Sequence, residues 1–187
     1  MSLRFEPVTL DRWEDLELLF GTRGACGGCW CMSWRKTRAD FQRGKGDANR
    51  ASLKALVDVD AQPGILAYDG AVPVAWCAVA PREVYSFLQR SRVLRPIDDA
   101  KVWSVSCLFV ARAYRKQKVS VAILRAAIEF VRERGGKVVE GYPLEPKSGL
   151  LPGAFVWTGL LSAFLQAGFH EVPRWSENRP LVRFQLP

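Results

Sequence analysis

Between Val102 and Pro143 the apolar positions change period twice. Trp103, Val105, Cys107 and Phe109 alternate with smaller or mixed residues, the period of two expected of a strand. A basic turn, Ala111 to Lys118, follows; then Val119, Ile123, Ala126, Ala127, Phe130 and Val131 share one stripe of a helix running to Arg134. Gly135-Gly136 ends that helix, and Val138 to Tyr142 reads as a second strand stopped by Pro143. Strand, helix and strand within about forty residues make a βαβ unit over 102–143, with parallel strands joined by a right-handed crossover.

The rest of the chain is patterned more briefly. Arg4 to Val8 reads as a first strand, and Thr9 or Asp11 caps a helix with Leu10, Trp13, Leu16, Leu19 and Phe20 on its apolar stripe. After a Gly44-Lys45-Gly46 hinge, Asp47 or Asn49 caps a helix that presents Ala51, Leu53, Leu56 and Val57. Ile65 to Tyr68, Asp69-Gly70 and Val72 to Ala80 form a hairpin signal, and Val84 to Gln89 a short helix. Leu144 to Val156 is a long loop rich in Pro, Gly and charge. Thr158 then caps a helix whose Leu160, Leu161, Phe164 and Leu165 face inward, and Phe169 to Trp175 and Leu181 to Leu186 are the last strands. The sum is one α/β (α+β) domain over 1–187: a mixed, mostly antiparallel sheet of about six or seven strands flanked by helices, with one parallel βαβ unit.

Composition narrows the class. A chain of 187 residues with 49% hydrophobic content can bury a sizeable core. No apolar run approaches the roughly 20 residues of a membrane span, and no signal-peptide layout opens the chain, so a cytoplasmic protein is expected. The net charge of +8 admits a polyanion, but the turn at 112–118, Arg35 to Arg38 and the run around Arg90 and Arg92 account for much of it. Nucleic acid is therefore not the expected partner. Five cysteines, an odd number, argue for reduced thiols over a disulfide framework.

The basic turn carries the clearest chemistry. Arg112, Arg115, Lys116 and Lys118 stand where the first N–H groups of a helix lack intrahelical acceptors, so amides, dipole and cations together favour a phosphate. A solvated basic turn is the plainer reading of the same residues.

Tyr114-Arg115-Lys116-Gln117-Lys118-Val119-Ser120, followed by Ala122-Ile123-Leu124, resembles the acyl-CoA-binding motif of the GNAT N-acetyltransferase superfamily, usually Arg/Gln-x-x-Gly-x-Gly/Ala. Gln166-Ala167-Gly168-Phe169 resembles the family's closing helix-to-strand signature. The resemblance implies a GNAT-like acyl-CoA N-acyltransferase fold that takes acetyl-CoA as co-substrate. The pantetheine arm would pair along Leu108, Phe109 and Val110, and the pyrophosphate would lie on Arg115, Lys116, Gln117, Lys118, Val119 and Ser120. It implies direct acetyl transfer to an amine of a small molecule or peptide, by a monomer or homodimer. Two departures stand out. Lys118 and Ser120 replace glycines, so Lys118 either crowds the pyrophosphate or pairs with it. Phe164 stands where many relatives have a proton-donating tyrosine, and a phenyl ring has no proton to give. Glu140 is then the candidate base, also readable as a solvated strand carboxylate, and Tyr142 the candidate acid, with Tyr114 or water behind it.

Gly24 to Arg35 concentrates Cys26, Cys29, Cys31, Trp30 and Trp34 in a segment, 22–50, that reads as a substrate-side lid. Cys29, Trp30, Cys31 and Trp34 are the expected substrate-binding residues. Cys26-x-x-Cys29 has zinc-ligand spacing but lacks an evident fourth ligand, so a packed wall, a metal site and a redox site all remain open and no metal is assigned. The leading expectation is acetyl transfer. The alternatives are a catalytically impaired CoA- or peptide-binding module, and a thiol-rich metal or redox module around Cys26 to Cys31.

Overall fold

The computed structural model describes residues 2–146, 156–176 and 179–187. Seven strands build one sheet: β1 (Leu3–Pro7), β2 (Gly64–Asp69), β3 (Val72–Pro81), β4 (Trp103–Val110), β5 (Val138–Gly141), β6 (His170–Val172) and β7 (Leu181–Gln185). Their order is β1-β2-β3-β4-β5-β7-β6, with β4 and β5 parallel and the other neighbours antiparallel. The mixed, mostly antiparallel sheet with one parallel βαβ unit is thus what the chain forms. Among the described residues no helix is long and apolar enough to cross a membrane.

Helices cover both faces. The fifteen-residue α5 (Val119–Glu133) buries Val119, Ile123, Leu124, Ala127, Phe130 and Val131 against Ile65, Cys77, Val105 and Val139, and α6 (Leu161–Ala167) extends the same core through Phe164. Each large side chain so buried contributes about 1.5–3 kcal/mol, which holds the crossover helix to the sheet. On the other face lie α1 (Trp13–Phe20), α2 (Arg38–Arg43), α3 (Asp47–Asp58) and α4 (Ser86–Arg90). There Trp13, Leu16, Phe20 and Leu53 meet Leu66, Tyr68 and Trp76.

β4 does not keep one alternation throughout. Ala78 pairs with Cys107 while Val79 pairs with Val105, leaving Ser106 as an extra residue. Such a bulge restarts the side-chain alternation. Val105 therefore packs toward α5, whereas Cys107 joins the opposite core, and the expected single series 103-105-107-109 is split. Pairing of β4 with β5 stops at Val105 and Gly141, so β4 runs on to Val110 paired with β3 only and the β4 and β5 strands splay. Gly141 is required there, since a Cβ would stand 2.2 Å from the Phe164 ring.

Element ends differ from the sequence expectations for local reasons. Leu10 lies in a 3-10 turn, 62% exposed, and α1 begins at Trp13. Gly46, in a left-handed conformation, precedes α3 in place of a side-chain cap. Thr158 does not cap α6: Leu160 precedes that helix, and the buried Thr158 hydroxyl has no partner among the described residues. Leu160 and Leu165 are exposed, because only Leu161 and Phe164 of that leucine-rich stripe reach the sheet. β6 is three residues long and stops before Pro173, which has no N–H to give a ladder. Residues 147–155 of the long loop lie outside the described residues.

Candidate acyl-donor and acceptor site

The turn between β4 and α5 opens toward solvent. Lys118 precedes α5 at φ 60°, ψ 15°, and Lys116 has φ 61°. Both lysines take the left-handed conformation that glycine adopts without strain, and both side chains are exposed. The backbone reaches the curvature a glycine would give it, and the expected crowding at Lys118 becomes conformational strain, with the ammonium left in solvent. Among the described residues, the N–H groups of Lys116, Gln117, Lys118, Val119 and Ser120 meet no protein acceptor. Five consecutive open amides at the start of a helix, among cations, form an anion seat. Neighbouring side chains brace it: Arg115 Nε donates to the Val110 carbonyl at 3.0 Å, and Gln117 Nε2 to the Ala113 carbonyl at 2.8 Å.

In the splay, the Leu108 N–H donates to the Trp157 carbonyl at 2.7 Å. A loop carbonyl thus occupies the edge of β4 where an added strand would pair. Phe109 turns to the other face and packs on Phe20 at 5.6 Å.

Beyond the bulge lies a cavity of about 210 Å³, lined by Cys26, Cys29, Cys31, Ser33, Trp34, Phe41, Ser106, Cys107 and Trp157. The thiol loop buries Cys31, half-buries Cys29 and leaves Cys26 exposed at the cavity's edge. Asn49, fully buried, donates to the Gly28 and Phe41 carbonyls and accepts from Lys36 Nζ at 2.9 Å, which ties α3 to the loop. A Cβ on Gly28 would stand 2.4 Å from the Gly46 nitrogen. Trp76 Nε1 donates to Cys31 Sγ at 3.1 Å, and Cys31 Sγ lies 3.4 Å from Cys107 Sγ. The hydrogen bond to Cys107, with burial, pushes the Cys31 thiol up; the bond to Cys31, with burial, pushes Cys29 far above its ordinary value. Both stay protonated at neutral pH. Among the described residues no three His, Cys, Asp or Glu side chains are arranged to hold a metal ion.

Of the four expected substrate residues, Cys29, Cys31 and Trp34 line this cavity and Trp30 does not. Trp30 is buried between Trp13, at 6.0 Å, and Phe20, at 5.4 Å, over Gly24, where a Cβ would stand 2.2 Å from its ring nitrogen. Close approach to that glycine turns Trp30 into the core.

Glu140 and Tyr142 come together, but with partners the sequence did not suggest. Glu140, 1% exposed, accepts from Arg82 Nη1 at 2.9 Å and Tyr142 Oη at 2.6 Å on one oxygen, and from Arg183 Nε at 2.8 Å on the other. It is therefore not the solvated carboxylate that was one reading of it. Asp98 pairs with Arg183 from outside, and Ser104 Oγ lies 2.7 Å from Tyr142 Oη. Burial, then the Glu140 charge, hold the Tyr142 phenol well above its ordinary value, making it a weaker acid. Glu140 lines a second cavity with Arg82, Asp98 and Arg183, while Tyr142 sits behind Trp34 at 5.3 Å. Tyr114 bonds to Asp69 at the β2–β3 turn, and Phe164 is buried in the core. Ser106, Phe41 and Trp157 of the cavity, and Arg82 and Arg183 of the ion network, were not singled out from sequence as site residues; the serine signal was a polar residue inside an apolar strand.

Comparison with known proteins agrees with this geometry. The model of the Acetyltransferase (GNAT) family matches residues 29–141. No curated protein matches the chain. Among solved structures, the paia N-acetyltransferase from Thermoplasma acidophilum in complex with coenzyme A superposes with a TM-score of 0.53 at 12% identity, covering 100% of both chains. The ribosomal-protein-alanine N-acetyltransferase from Brucella melitensis gives 0.56 at 16%, covering 98% of this chain and 99% of that one. The yncA protein from Salmonella typhimurium, with its cofactor acetyl-CoA, gives 0.55 at 11%, covering 100% and 95%. At these identities the likeness is one of fold.

Proposed function

The chain belongs to the acetyltransferase (GNAT) family, and on that premise we propose that it is an acetyl-CoA-dependent N-acetyltransferase acting in the cytoplasm on an amine of a small molecule or peptide. The observation that carries this reading is the run of five open amides from Lys116 to Ser120, placed where β4, a strand that also lines a mainly apolar cavity open to solvent, leaves β5. The phosphates of the donor would take those amides, with Arg115, Lys116 and Lys118 adding charge. Its pantetheine arm would run along Leu108, Phe109 and Val110, exchanging one carbonyl for another at the Leu108 N–H. The thioester would then lie near the Ser106 bulge and face the cavity, where the amine waits. Holding the two together supplies much of the acceleration of acyl transfer.

In this reading Glu140 and Tyr142 position the strand ends and the Trp34 ring, and exchange no protons with substrate. Support for that comes from the carboxylate, whose two oxygens already accept from Arg82, Tyr142 and Arg183.

A thermal-shift titration tests the proposal. Acetyl-CoA at ~100 times its dissociation constant stabilises by about 2.7 kcal/mol, roughly 5–11 °C for a domain of this size, and less at high salt. No shift at any concentration would overturn it. A full shift with no turnover on any amine would favour the CoA-binding module, a reading that the Trp157 carbonyl on the Leu108 N–H also favours.

A further inference from the structure

The acceptor cavity has a definite chemistry. Its volume, about 210 Å³, exceeds the ~150 Å³ that holds a benzene ring in an apolar protein interior, which leaves room for one substituted ring. Trp34, Trp157 and Phe41 supply aromatic walls, and offset or edge contacts with such rings add about 0.5–1.5 kcal/mol each. The described lining holds no carboxylate and no imidazole. The sequence of residues 147–155, Lys-Ser-Gly-Leu-Leu-Pro-Gly-Ala-Phe, contains no carboxylate and no imidazole side chain. Cys29 and Cys31 are neutral thiols, so they offer a cation no counter-charge. Glu140, on the same side of the sheet, has its oxygens committed to Arg82, Arg183 and Tyr142.

An alkylammonium entering this cavity, which opens to solvent on one side, would give up part of its hydration without a counter-charge, and among the described lining would find no carboxylate or imidazole to take its proton before attack. With an ordinary amine pKa near 10.4, only about one molecule in a thousand is neutral at physiological pH. We infer that the acceptor is a small aromatic amine of low basicity, whose nitrogen carries its lone pair free at neutral pH. The inference rests on the acetyltransferase reading above.

The step balances without a protein base. The amine lone pair forms the C–N bond to the thioester carbonyl carbon, and the tetrahedral oxyanion collapses with cleavage of the C–S bond. The nitrogen, acidified once it bears the acyl group, gives its proton to water, and the departing CoA thiolate takes one from water. The products are the N-aryl acetamide and free CoA. The Ser106 hydroxyl at the bulge is a polar lining group within the cavity for a ring substituent or the amine N–H.

Three probes decide the matter: para-toluidine, benzylamine with a ring of the same size but an alkyl nitrogen, and spermidine as polycation. Acetylated product is separated by chromatography, and acetyl-CoA binding is followed by thermal shift on the same preparation. The expected kcat/KM for para-toluidine exceeds that for benzylamine by at least roughly tenfold at neutral pH and stays flat from about pH 6.5 to about pH 9, while any benzylamine rate climbs ~tenfold per pH unit. A faster rate with benzylamine or spermidine at neutral pH overturns the inference and leaves the acetyltransferase standing. A thermal shift with no acetylation of para-toluidine also overturns it. Absence of the shift itself overturns the parent reading instead.

Discussion

Charge gathers at both ends of β4, and the two ends handle it in opposite ways. Beside Ser104, Glu140 is sealed from water and shared between Arg82, Arg183 and Tyr142, three side chains from three separate segments. Beyond Val110, the amides of Lys116 to Ser120 and the cations around them are exposed and meet no acceptor among the described residues. Buried charge that is mutually satisfied acts as architecture, whereas donors left open at the surface are reserved for a ligand. On the proposed reading, the buried carboxylate and phenol belong to the sheet's architecture, and the open backbone amides mark the donor site.

Substitutions at each end break or sharpen this contrast. The largest effect belongs to Glu140→Gln, which leaves the buried Arg82 guanidinium without its anion and Arg183 with Asp98 alone: a loss of about 3–5 kcal/mol in urea unfolding. A loss below about 1 kcal/mol would mean that water or Asp98 compensates, and the network would no longer count as architecture. Next comes Lys118→Gly at the open end. Removing the left-handed strain should raise stability by up to about 1 kcal/mol, offset in part by the freedom glycine gains when unfolded. Acetyl-CoA binding by this variant should become less sensitive to salt, since one cation is gone. Smallest is Asp98→Asn, at under about 1 kcal/mol, because Asp98 is half exposed. The hydrogen bond from Arg183 holds the Asp98 carboxyl below its ordinary value. Its contribution is therefore present above the unfolded carboxyl value near 3.9 and is lost as the pH falls through the folded value. Parent and variant should differ in urea midpoint at neutral pH and converge in strong acid.

The open end was legible in the sequence, and the closed end was not. Period, turn residues and a basic stretch at a helix start are local signals, so the βαβ unit, the β2–β3 hairpin and the anion seat could be read residue by residue. Lys118 misled in part, because its identity argues for crowding while its backbone takes the glycine conformation. The Ser106 bulge was hidden, since Val-Ser-Cys reads as unbroken strand until a partner shows one residue too many. Arg82 and Arg183 lie 58 and 43 residues from Glu140, and no spacing rule reaches that far. Composition left the thiol segment open between a wall, a metal site and a redox site, and could not foresee that Gly24, whose missing side chain admits Trp30, would turn Trp30 to the core while Trp34 lines the cavity.

Those long separations also bear on how the sheet finds its alignment. A one-residue slip of β7 against β5 would turn Arg183 from Glu140 to the apolar α5 side and bring a neighbouring valine or phenylalanine to the carboxylate. Misaligned hydrophobic strands can often repack at modest cost, but a carboxylate that keeps Arg82 and Tyr142 on one oxygen and has lost Arg183 from the other cannot. The buried triad thus works as a parity check on assembly: it is complete only when β3, β5 and β7 have all arrived in register. Because that requires closing two long loops, its stabilisation comes late, and its loss should appear in the rate of unfolding more than in the rate of folding.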